Sequence, residues 1–100
     1  MTSTADKFEA FHRDNPIVYD TLVSLIREWI DENGLVKLGI RMLWETARWR
    51  IIKATNNADY KMNDHYTSYY IRLILSHHDE WVPLFELRSS PSDAWILAKI

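Results

Sequence analysis

The chain has 100 residues, 47% of them apolar and 26% charged, with five Trp, five Tyr and three Phe. That is one domain's worth of chain with enough apolar material for one core, which excludes a disordered segment and a two-domain protein. The net charge is −2, and the absence of Cys excludes a disulfide framework, a thiolate zinc site and a cysteine nucleophile.

Met1 to Phe11 is polar and carries Asp6 and Glu9, unlike a signal peptide. No apolar run approaches the roughly 18 residues that span a bilayer. A soluble, cytoplasmic, single domain over residues 1–100 is expected, with fraying at 1–7 and 89–100.

Ser3 with Asp6 three residues on predicts a capping box and a short first helix presenting Phe8 and Phe11 on one face. Asn15-Pro16 predicts the start of a second helix, with Asn15 as its cap. Val18, Leu22, Leu25, Ile26 and Trp29 follow at helical spacing, and Asn33-Gly34 supplies a left-handed stop, so the helix covers about 16–32.

The third helix, about 39–55, carries two apolar faces. At about 100° per residue, Ile40, Leu43, Trp44, Ala47, Ile51 and Ala54 gather on one side. Met42, Trp49 and Ile52 gather nearly opposite. Such a helix is either sandwiched in the core or buries its second face in a partner, and a domain this small favours the sandwich. Glu45 and Arg48 are spaced as a helical surface ion pair of little energetic weight.

Residues 56–62 have turn character, and Asn63 or Asp64 predicts the cap of a fourth helix, about 64–77. Tyr66, Tyr69, Tyr70, Leu73, Ile74 and His77 share its inner face, while His65, Ser68, Arg72, Leu75 and Ser76 lie towards the other. A short helix or turn interrupted at Pro83 comes next, and Phe85 and Leu87 are expected to close the core. A minimal two-stranded element pairing 58–62 with 84–88 fits the pattern. Ser90-Pro91-Ser92-Asp93 repeats the capping signature and opens a terminal helix containing Trp95. The fold class is therefore mainly α, a compact bundle of four or five helices, with a helix-turn-helix or winged-helix arrangement as a variant.

Charge is unevenly distributed. Residues 1–36 hold three basic against seven acidic side chains, 37–72 seven against three, and 73–100 two against four. A basic middle between acidic ends suits an anion such as DNA. In a helix-turn-helix reading, the fourth helix enters the major groove with Lys61, His65, Ser68 and Arg72 facing the duplex. Arg41, Arg48 and Arg50 then contact the backbone. The 56–62 connection is long for that motif, and Asp64 would repel phosphate.

No glycine-rich phosphate loop is present. The run His77-His78-Asp79-Glu80 lacks metal-ligand spacing, because adjacent residues of a helix point apart. His12 and His65 read as ordinary polar positions, and Tyr60 as the most exposed aromatic. No catalytic constellation, metal, cofactor or small-molecule substrate is expected.

Phe11, then Asn15-Pro16-x-Val18-Tyr19, then Lys37-Leu38-Gly39-Ile40-x-Met42-Leu43-Trp44-Glu45-x-x-Arg48-Trp49 form a pattern spread through the chain. Lys61-x-Asn63-x-x-Tyr66, Tyr70-x-Arg72-Leu73-Ile74 and Phe85-Glu86-Leu87-Arg88 continue the pattern. Across about residues 8–88 the chain resembles a family of small, uncharacterised bacterial, phage and prophage-encoded proteins. The resemblance implies an accessory setting and carries over no site residues. Two functions are thus expected: a non-catalytic nucleic-acid-binding regulator acting through 37–72, or a protein-interaction module. The latter would inhibit a host factor or form a homodimer through the face of Met42, Trp49 and Ile52.

Overall fold

The computed structural model describes residues 2–100. It contains α1 (Thr4–Asp14), α2 (Pro16–Asn33), α3 (Ile40–Thr55), α4 (Thr67–His77) and α5 (Pro91–Leu97). Two 3-10 segments, Asp64–Tyr66 and Asp79–Leu84, precede and follow α4. No strand occurs among the described residues, so the mainly helical expectation holds and the two-stranded element does not.

The capping signatures act as their chemistry predicts. Ser3 accepts from the Asp6 amide at 3.1 Å while the Asp6 carboxylate accepts from the Ser3 amide. Ser90 and Asp93 form the same box at α5, with Pro91 in the first turn. Gly34 ends α2 at φ 76°, a conformation that side chains disfavour. Asn15 stands at the N-cap of α2 as expected, but its side chain makes no cap bond. Its Nδ2 donates to the Phe11 carbonyl at 3.0 Å, and its Oδ1 accepts from the Tyr60 hydroxyl at 2.7 Å. Tyr60 is therefore half-buried and pinned to the α1–α2 junction.

Residues 34–39 turn the chain back so that α2 and α3 form a helical hairpin, bridged by an Arg50–Glu28 ion pair. Segment 84–88 runs beside 36–39 instead of 58–62. One backbone bond joins them, Leu38 N–H to the Leu84 carbonyl at 2.8 Å, with Lys37 Nζ on the Phe85 carbonyl. One bond does not make a ladder.

The core gathers around α4. Tyr69, Tyr70, Ile71, Arg72, Ile74 and Leu75 are all buried, which leaves this helix almost no solvent face. Phe8 of α1 is fully buried and meets Tyr70 edge-on at 4.7 Å between ring centroids, Tyr69 at 5.4 Å and Trp95 at 5.1 Å. Trp44 of α3 closes on Tyr70 at 5.7 Å. Aromatic pairs at such separations add attraction beyond area burial. Phe85 joins the core as expected; Leu87 does not, remaining 42% exposed on the extended segment.

Candidate interaction surface

The basic side chains of 37–72 do not converge. Arg72 is buried beneath α5, where its Nε donates to Asp93 Oδ1 at 2.9 Å and its Nη2 to the Arg88 carbonyl at 2.6 Å. It cannot face a duplex as the helix-turn-helix reading requires, because α5 lies on that side of α4 and consumes its donors. Leu75, expected on the same outward side, is buried as well.

Arg48 does more than pair with Glu45. Its Nη2 also donates to Asp64 Oδ1 and to the Met62 carbonyl, each at 2.8 Å. Asp64 accepts from Trp44 Nε1 at 2.9 Å too. These bonds, the Arg48 one foremost, hold the Asp64 carboxyl below its ordinary pKa and tie the 56–63 connection to α3. Arg50 is likewise committed to Glu28. Three of the seven expected nucleic-acid contacts, Arg48, Arg50 and Arg72, are thus spent inside the fold. Arg41, Lys61 and His65 are exposed, and Ser68 is half-buried at the start of α4. Arg41 stands on α3, Lys61 in the connection and His65 in the 3-10 segment, so they share no single helix face.

The second apolar face of α3 is the reverse case. Trp49 is 63% exposed and Met42 50%, with Ile52 half-buried beside them. The favoured sandwich is therefore corrected: among the described residues nothing covers this side, because the core takes the Leu43–Trp44–Ala47–Ile51 side. Lys53 Nζ sits 4.1 Å from the Trp49 ring centre, a cation–π contact.

Beside Met42 the α2–α3 hairpin opens a cleft of about 230 Å³. Leu25, Trp29, Leu38 and Leu43 line its apolar part; on the rim Glu28 is paired with Arg50, which leaves Glu32 as the carboxylate without a counter-charge among the described residues. Leu35 and Val36, each 55% exposed, stand in the link that joins the same two helices. Trp29 Nε1 donates to the Val36 carbonyl at 2.8 Å, which fixes the link against α2. Residue spacing alone did not reveal this cleft, since it depends on how α2 sits against α3.

A second grouping missed by sequence reasoning joins α1, α2 and α4. His12 stacks parallel on Phe8 at 5.8 Å, and its Nδ1 is buried with no hydrogen-bond partner in the protein. The Tyr19 hydroxyl shares a 2.7 Å bond with His77 Nδ1. Burial lowers the His12 pKa below its ordinary 6.5; nearby Asp20 opposes the shift and His77 reinforces it. The fold thus prefers neutral imidazole, so the unfolded chain binds the proton more readily. Stability is complete above about pH 6.5 and falls as the pH drops below it. In urea unfolding between pH 7.5 and 5, His12→Phe should show a flatter decline than the parent, and an unchanged slope would refute the assignment. Among the described residues no group of three or more His, Asp and Glu is arranged to hold a metal ion.

No family model, curated protein or solved structure matches the chain. The functional reading accordingly rests on the side chains. Among the described residues no helix is long and apolar enough to cross a membrane.

Proposed function

We propose that the chain is a non-catalytic protein-interaction module whose docking face is the outward side of α3. One observation carries the reading: Trp49 is 63% and Met42 50% exposed on a helix whose opposite side packs Leu43, Trp44, Ala47 and Ile51 into the core. Trp is among the residues that dominate interface energetics, and an exposed apolar patch such as Met42, Trp49 and Ile52 marks an interaction site. The adjoining cleft provides a concave apolar seat of the kind in which interface anchors lodge.

The nucleic-acid alternative loses support from the same geometry. Arg48, Arg50 and Arg72 are held by carboxylates, and α4 offers no free face to a groove. An accessory protein of phage or prophage type, acting by binding another protein, accords with the sequence resemblance.

Photo-crosslinking tests the proposal. A photoreactive residue at position 49 should yield discrete covalent adducts in cells expressing the chain. The same group at exposed Asp59, on the far connection, should not. Equal or absent adducts from position 49 would overturn it.

A further inference from the structure

The outward face of α3 carries two unlike features, and they complement each other. Towards its C-terminal end stands Trp49, with Lys53 across its ring. Towards its N-terminal end, beside Met42 and Thr46, lies the apolar cleft rimmed by Glu32. Glu32 has no ion-pair partner among the described residues, and α2 has no basic residue in its last turn. The negative end of the α2 dipole therefore adds to the carboxylate, and the rim of the cleft favours a cation.

We infer that the occupant of this face is a second copy of the chain, bound through the outward sides of antiparallel α3 helices about a two-fold axis near Thr46, which is exposed between Met42 and Trp49. The inference rests on the interaction-face reading above and names its partner. A two-fold interface is self-complementary: whatever patch i meets on patch j is met again by j on i. An aromatic anchor and its receptor must then lie on the same face, on either side of the axis. Trp49 lies one to two helical turns from Thr46 and Met42, where α3 lines the apolar part of the cleft, and Arg50 closes the cleft at its other end. In an antiparallel crossing, residues on a given flank of one helix meet the same flank of the other, level by level. Trp49 of each copy then covers the cleft of the other, and Lys53 extends to the opposing Glu32.

Charge supports this pairing over a parallel one. Parallel helices would set Trp49 against Trp49 and Lys53 against Lys53, leaving both clefts empty and two ammonium groups facing. The antiparallel arrangement satisfies two Lys53–Glu32 contacts and fills two clefts at once. Arg50 remains paired with Glu28 within its own copy and does not compete.

Sedimentation equilibrium on the intact chain tests the inference. The parent should form a dimer of twice 11.9 kDa. Reversing one charge, Glu32→Lys or Lys53→Glu, should weaken it about tenfold, since each change places two repulsive contacts in the dimer. The double variant Glu32→Lys/Lys53→Glu should recover affinity to within a few-fold of the parent. Because both residues are exposed, the variants should keep the parent's circular dichroism spectrum. A parent that remains monomeric at several hundred micromolar, or a double variant no tighter than the singles, overturns the second-copy inference. Either result leaves the wider reading to be decided by crosslinking at position 49, where adducts to a different protein would uphold the docking face and reject the homodimer.

Discussion

Phe8→Ala should destabilise the protein by about 3–5 kcal/mol, the range for deleting a fully buried aromatic ring without collapse of the cavity. Phe8 is 0% exposed and lies at the meeting point of Tyr66, Tyr69, Tyr70 and Trp95. Those rings belong to the turn before α4, to α4 and to α5. Removing their common neighbour thus loosens three elements, not one, and rigid rings are poor at filling the resulting void. Domains of this size carry about 5–15 kcal/mol in total, so the variant should lose more than about 10 °C in Tm. A loss below about 1 kcal/mol in urea unfolding would show that the aromatic cluster is not the structural centre.

Arg72→Ala should cost about 2–3 kcal/mol, the order expected when hydrogen bonds to a charged group are removed. The guanidinium is 8% exposed, but Asp93 is about half exposed, and solvent screening keeps the figure below the roughly 3–5 kcal/mol of a wholly buried pair. The loss should be local as well as global. Arg72 joins α4 to both the Arg88 carbonyl and the α5 cap, so amide exchange in Pro91–Leu97 should accelerate more than in α2. Acid should imitate the substitution. The Ser90 amide, and then Arg72, hold the Asp93 carboxyl below its ordinary 3.8. The contribution is present above that value and disappears as the pH falls through the lower folded value. Unaltered α5 exchange in Arg72→Ala would contradict this role.

These residues also show what the sequence could and could not convey. Ser3–Asp6, Ser90–Asp93 and Asn33-Gly34 are local signals read by the backbone itself, and the helices they bound fall where the spacing predicts. Arg72 failed for a non-local reason. Its helical angle is outward from the α1–α2 side, but a fifth helix arriving twenty residues later lies over that angle, and nothing near Arg72 in sequence announces it. Leu75 was misread in the same way. The opposed faces of α3 were legible as a pattern. Which neighbour would cover Met42 and Trp49 was not, because coverage is a property of tertiary packing. The acidic-basic-acidic charge layout was also legible, yet its meaning changed: Arg48, Arg50 and Arg72 of the basic centre neutralise carboxylates of α2, α5 and their own segment. The His12 cluster draws on three helices and had no sequence signal beyond single residues.

The central claim is that the Trp49 face belongs to an interface and not to the core. Urea unfolding of Trp49→Ala at sub-micromolar concentration, where assembly is minimal, tests it most directly. The account predicts a change within about 0.5 kcal/mol of the parent, as for a surface side chain. A loss of about 3 kcal/mol or more at that dilution, the signature of a core aromatic, would contradict it.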